Sequence, residues 1–217
     1  MFKVGGLGVD SILRLQLLSR DELQEALDFR FLRRNFLITF HPVTLESNTS
    51  TDQMAELLAA ISELSETGLI FTMPNADTEG RALFEQIQEF CKKHPQAKAY
   101  TSLGQLRYLS CIRHVDAVVG NSSSGLLEVP SFKKGTINIG DRQMGRLKAP
   151  SVIDCEPVRI SISNAIQHMF SEKFQDKLST VENPYGNGGA SDAIVKILEN
   201  CSLKAMLKKR FHDISIS

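Results

Sequence analysis

Cysteine is sparse in this chain, and what there is lies scattered: Cys91, Cys111, Cys155 and Cys201. No two are close enough for a metal knuckle or a redox pair, so reduced and mostly packed thiols are expected. Net charge is missing too. Lys plus Arg total 25 and Asp plus Glu total 25, which withholds the broad basic field that nucleic acid or an anionic membrane surface requires. Only "LKKR" near the end forms a local basic patch. No apolar run approaches the roughly 20 residues that span a bilayer, and "MFKVGGLGVD" lacks the apolar core of a secretion signal. The expectation is a cytoplasmic protein with neither nucleic-acid nor membrane partners. The chain also holds no GK[ST] phosphate loop and no glycine fingerprint of the nicotinamide folds. A Ser/His/Asp triad, a metal-ligand set and paired carboxylates for acid–base work are likewise not legible, and no metal or cofactor is expected.

What is present is an alternation of strand and helix patterns, in 217 residues that suffice for one large domain or two small ones. "NFLITF" reads as a buried strand. "TDQMAELLAAISELSE" carries an apolar stripe at helical spacing, with Ser50 and Gln53 resembling a capping box and Gly68 as the stop. "LIFTM" is the next strand, "EGRALFEQIQEFCKKH" the next helix, ended by Pro95. Then come "AKAYTS" (strand), "LGQLRYLSCIRH" (helix), "VDAVVG" (strand), a serine-rich loop with a short helix, and "GTINI" (strand). Five strands with intervening helices predict a parallel α/β sheet covered on both faces. Beyond Gly140, "SVIDC" and "VRISI" are short strand candidates, "ISNAIQHMF" a helix, "STVENPYGNGGAS" a loop and "DAIVKILENCSLKAML" a terminal helix. At the start, "RLQLLSRDELQEALDF" reads as a helix pair or one kinked helix, after a strand-like run in "FKVGGLGVD".

In doubly wound sheets ligands sit beyond the C-terminal strand ends, and polar residues gather there. In "GNSSSGLLEVPSF", small residues let backbone amides approach an anion. Ser122 and Ser123 add hydroxyl donors, and a helix starting near Ser124 or Gly125 would present its free N–H groups; the same segment also fits a polar turn with an N-cap serine. Glu128 suits two ribose hydroxyls, or is an exposed helix acid. His41, after "LITF", suits phosphate contact or proton transfer, or is a loop histidine. Asn75 and Asp77 suit a base or sugar, or an Asx turn and helix cap. Arg142 and Arg146 suit phosphate oxygens, or surface ion pairs.

Taken together, "FHPVTLE", "MPNADTEG", "GNSSSGLLEVPSF", "INIGDRQMGR" and "NPYGNGGAS" resemble the C-terminal half of hydrolysing UDP-N-acetylglucosamine 2-epimerases, closest to the sialic-acid-pathway branch. The resemblance implies the second Rossmann-like domain of a GT-B fold: an interdomain connection and leading helix over 1–34, a UDP-binding domain over 35–189, and a C-terminal helix and tail over 190–217. It places His41 near the diphosphate, as the one candidate here for a catalytic role. Ser122 and Ser123 fall on the diphosphate, Glu128 on the ribose, Arg142 in the "DRQxGR" motif, and Asn75 and Asp77 near the nucleotide, with Ser124, Gly125 and Arg146 as weaker matches. UDP and UDP-N-acetylglucosamine are the implied ligands, and homodimerisation is a family expectation. The implied reaction eliminates UDP to a glycal-like intermediate and adds water on the opposite face, giving N-acetylmannosamine. Its acid–base carboxylates lie mainly in a first domain not contained in these residues. The helix after "NPYGNGGAS" would then expose apolar surface. Two other readings stay open: a non-catalytic UDP-sugar binding module, and a non-hydrolysing epimerase that interconverts UDP-N-acetylglucosamine and UDP-N-acetylmannosamine.

Overall fold

The structure is a computed structural model that describes residues 2–42, 49–74 and 78–201, apart from the side chains of Thr78 and Glu79. Among them, six strands form one all-parallel sheet: β1 (Arg34–Thr39), β2 (Thr67–Thr72), β3 (Ala97–Tyr100), β4 (Ala117–Gly120), β5 (Gly135–Ile139) and β6 (Val152–Cys155). Their order is β3-β2-β1-β4-β5-β6, the doubly wound arrangement whose direction reverses between β1 and β4. Strand β1 is buried from Asn35 to Thr39, because helices cover both faces. Phe36, Ile38 and Phe40 point into one layer with α3 (Thr49–Ser62), α4 (Thr78–Lys93), α7 (Arg159–Met169) and α8 (Glu172–Leu178). Leu37, Ile70 and Val118 point into the other, with α1 (Leu7–Arg14), α2 (Arg20–Leu27) and α5 (Gly104–His114). Each such aliphatic or aromatic side chain contributes about 1.5–3 kcal/mol on burial.

The five expected strands appear as β1 to β5, and "SVIDC" supplies β6. Four local expectations are corrected. Gly68 does not stop a helix: α3 ends at Ser62, and Gly68 lies inside β2. A Cβ there would meet Asn35 Oδ1 at 2.6 Å and the Phe29 ring at 2.9 Å, so the glycine answers to close packing. "VRISI" is no strand. It opens α7, whose Ile162, Ala165, Ile166 and Met169 form one buried helical stripe; that tertiary face overrides the β-branched composition of the first turn. Near the start, "VGGLGVD" runs into α1, which ends at Arg14, and only the second helix, α2, falls in the expected place. Ser50 lies within α3 and is no cap; the capping box is instead Ser19 with Glu22 at the start of α2. The terminal helix α9 runs over Ala190–Glu199.

Sequence-distant termini of the described chain lock together. Gly6 N–H donates to the Tyr185 carbonyl at 2.7 Å. The buried Asp10 carboxylate accepts from Ala190 N (3.2 Å), Ser191 N (2.6 Å) and Ser191 Oγ (2.5 Å), and so caps α9. A negative charge at a helix N-terminus also complements the helix dipole. The Ser191 hydroxyl, followed by its backbone N–H, holds the Asp10 carboxyl below its ordinary 3.8.

Two predictions test these elements. Because the folded-state pKa of Asp10 is depressed, its contribution is present above 3.8 and is lost as the pH falls through the lower folded value. Asp10→Asn should therefore lower the melting temperature at pH 7, and the gap from wild type should close in acid below 3.8; a gap independent of pH would refute the charged cap. Gly120 has φ +133, and a Cβ there would fall 2.0 Å from the Thr39 carbonyl oxygen, whereas Gly104 has φ +62 with open space around it. Urea unfolding should show Gly120→Ala costing about 3 kcal/mol or more and Gly104→Ala only about 1 kcal/mol.

Candidate functional site

The crevice opens where β1 and β4 part. Thr39 pairs with Gly120 across the two strand ends, and Gly120 pairs with Asn138 on the other side. Past these positions the chain of β1 continues to His41, and that of β4 into the serine loop.

Asn121 fixes the two relative to each other. Its side-chain Oδ1 accepts the His41 N–H at 2.7 Å, and its Nδ2 donates to the His41 carbonyl at 2.8 Å. Its own N–H donates to the Thr39 carbonyl at 3.2 Å. Its carbonyl accepts from Arg142 Nη1 at 3.0 Å and Gln143 Nε2 at 2.7 Å. One buried residue thus joins β1, β4 and the turn after β5. Partial burial, and then the neighbouring Arg146, lower the Arg142 pKa below its ordinary value; the guanidinium stays charged at neutral pH.

Around this anchor the loop is left open to ligands. The backbone N–H groups of Ser122 and Ser123 make no hydrogen bond among the described residues. Ser123 stands at the N-cap of the one-turn helix α6 (Ser124–Leu127) without a side-chain cap bond, so the N-cap alternative for this serine does not hold. Ser124 Oγ donates to Glu128 Oε2 at 2.5 Å. Ser122, Ser124 and Glu128 line a cleft of about 440 Å³ together with Thr39, Thr72, Tyr108 and the turn Thr101–Gln105. Gly125 lies beneath the loop, where a Cβ would press to 2.5 Å from Thr136 Cγ2, and its carbonyl accepts the Thr136 hydroxyl at 2.7 Å. It supports the cleft from below.

The structure therefore brings His41, Ser122, Ser123, Ser124, Glu128 and Arg142 to one strand-end region. Arg146 is exposed at the far end of its turn, its N–H 3.4 Å from the Gln143 carbonyl. Asn75 and Asp77 lie outside the described residues. Three contributors were not singled out from the sequence: Gln143, hidden between the two arginines of its motif; Asn183, which donates to the Leu127 carbonyl and Ser131 Oγ and so braces the Glu128 segment; and Tyr108, in the cleft wall. The "NPYGNGG" motif was a signal for Asn183. Tyr108 had none, since a tyrosine on a helix stripe reads as core.

Comparison with known proteins agrees with this geometry. The chain is 37% identical, over 99% of its length and 56% of the relative's, to a Campylobacter jejuni GDP/UDP-N,N'-diacetylbacillosamine 2-epimerase (hydrolyzing). It is 38% identical to the Escherichia coli polysialic acid biosynthesis protein P7, over 99% and 55%. The chain thus spans about half the length of the curated relatives it matches. Among solved structures, Staphylococcus aureus MnaA with UDP superposes with a TM-score of 0.70 at 14% identity, covering 90% of this chain and 52% of that one. The Neisseria meningitidis UDP-GlcNAc 2-epimerase bound to UDP-GlcNAc gives 0.62 at 16%, covering 83% and 48%. The family model for UDP-N-acetylglucosamine 2-epimerase matches residues 1–199, and the chain belongs to that family.

Proposed function

We propose that this chain is the nucleotide-binding half of a hydrolysing UDP-N-acetylglucosamine 2-epimerase. The observation that carries the proposal is the serine loop at the β1/β4 switch point, with the Ser122 and Ser123 amides open and Glu128 in the same cleft. The amides and the Arg142 side take the diphosphate, whose charge they stabilise as it departs. Glu128 accepts from the paired ribose hydroxyls. The base enters between the Thr101–Gln105 turn and Tyr108, where backbone groups and apolar side chains meet. His41, held by its backbone, faces the sugar–phosphate junction.

In the proposed reaction the C2–H and C1–O bonds of the sugar break, C1=C2 forms, and UDP leaves. Water then adds its oxygen to C1 and hydrogen returns to C2 from the opposite face, so that UDP-N-acetylglucosamine and water give N-acetylmannosamine and UDP. The relatives that carry "hydrolyzing" in their names favour water as the second reactant over re-addition of UDP. An N-acyl sugar related to diacetylbacillosamine is the second substrate reading, favoured by the names of the Campylobacter and Legionella pneumophila relatives.

A first domain must complete the site. The partner surface is the apolar face shared by α1 and α9, where Leu13 is 66% and Leu198 61% exposed. This bears the mark expected of a terminal helix lacking part of its cover, and on this reading residues 35–189 form the nucleotide-binding body.

Calorimetric titration of the chain with UDP should show binding that Glu128→Gln weakens about tenfold, as expected for loss of a charge-assisted hydrogen bond; unchanged affinity would reject the pose. The chain alone should release no N-acetylmannosamine from UDP-N-acetylglucosamine. Joined to the amino-terminal half of a hydrolysing relative, it should do so, and a folded chimera that binds UDP yet forms no product would count against the assigned reaction.

A further inference from the structure

The Tyr108 hydroxyl is buried in the cleft wall and has no hydrogen-bond partner among the described residues. Such a group costs stability in the unliganded fold, where a phenylalanine would pack as well. Its hydroxyl neighbours, Thr39 and Ser124, are bonded in other directions but keep lone pairs able to accept from it. Thr39 Oγ1 shares a 2.6 Å bond with Thr72 Oγ1, and Ser124 Oγ donates its proton to Glu128 at 2.5 Å. Burial raises the Tyr108 pKa above its ordinary 10, opposed by the Ser124 and then the Thr39 hydroxyl, with the Glu128 charge adding a smaller rise. The phenol therefore keeps its proton at neutral pH and is a donor in waiting.

Building on the nucleotide reading above, we infer that Tyr108 is a positioning residue that receives Ser124 when ligand binds. The ribose hydroxyls take the Glu128 oxygens, one each, and displace the Ser124 proton from Oε2. Ser124 Oγ then accepts from the Tyr108 hydroxyl and turns its own proton towards a phosphate oxygen. Every group gains a partner in the exchange: Glu128 trades the serine donor for two ribose hydroxyls, Tyr108 gains an acceptor, and Ser124 becomes both acceptor and donor. Chained hydrogen bonds of this kind polarise one another, which makes Ser124 a stronger donor to the anion. The arrangement ties recognition of the ribose to recognition of the diphosphate.

A double-mutant cycle on the 217-residue chain tests the exchange, with UDP affinity and melting temperature read for wild type, Tyr108→Phe, Ser124→Ala, the double variant and Glu128→Gln. Tyr108→Phe should weaken UDP about fivefold while leaving the unliganded melting temperature unchanged or raised. In the Ser124→Ala background it should have no further effect. Unchanged UDP affinity in Tyr108→Phe, or losses that simply add in the double variant, would overturn the inference, as would a lowered melting temperature with the same loss in both backgrounds. If Glu128→Gln weakens UDP while Tyr108→Phe does not, the inference falls alone. If wild type binds no UDP, or Glu128→Gln leaves affinity intact, the nucleotide reading falls and this inference with it.

Discussion

Two backbones meet at the switch point closer than any side chain permits. The Cα of Gly120 presses on the Thr39 carbonyl, where even a methyl group would sit at 2.0 Å. That contact sets the register of the last β1–β4 pair, and the register sets everything beyond it. Asn121 lands opposite His41 and clasps its backbone with both ends of one amide. The loop then leaves the sheet with two N–H groups open. Hydrogen bonds of about 1 kcal/mol net each would be modest singly. Here they share one buried residue, so loss of the Asn121 side chain would remove both of its bonds to the His41 backbone.

The same logic extends to the rear of the cleft. Asn183 braces the Leu127 carbonyl, one residue before Glu128, and Tyr185 beside it accepts from Gly6. Gly8 lies against the Glu128 side chain; a Cβ there would be 3.7 Å from Oε1. The first helix, the glycine-rich loop and the start of α9 thus form one layer behind Glu128. Any element docking on the exposed faces of α1 and α9 would press on that layer, and through it on Glu128. On the proposed reading, nucleotide binding and assembly with a second domain would share a physical connection made of packed backbone and one carboxylate cap.

Much of this was legible in the residues. The strands of the sheet are short apolar runs bounded by turn chemistry, and their burial on both faces leaves little choice of reading. Gly120 through Glu128 stood out because small residues, hydroxyls and an acid follow a strand end, where a doubly wound sheet places its ligands, although a polar turn and an exposed acid fitted the same residues. Other parts were hidden for identifiable reasons. "VRISI" has the composition of a strand, and only contact with α3 and the sheet makes it helical. Gly68 reads as a helix stop because the Phe29 ring that excludes a side chain there is 39 residues away in sequence. Gln143 and Tyr108 matter through what they touch across the sheet, which no local pattern records. The roles of Asn75 and Asp77 rest on resemblance alone.

Holding UDP well does not by itself accelerate its departure. Contacts that grip the diphosphate equally in substrate and product lower both, and leave the barrier between them unchanged. Only the increment of charge on the leaving oxygens can be used for catalysis, and it must be met by donors already aimed before the bond breaks. On the proposed reading the open Ser122 and Ser123 amides meet that condition, since they follow directly on the end of β4. Arg142 satisfies it because its guanidinium is tied to the Asn121 carbonyl. The proton at C2 is a separate problem: among the described residues that line this cleft the one carboxylate is Glu128, which the proposed reading assigns to the ribose. On the proposed reading the division of labour follows from that geometry: this half would stabilise what leaves, and a half closing over it would have to supply the base.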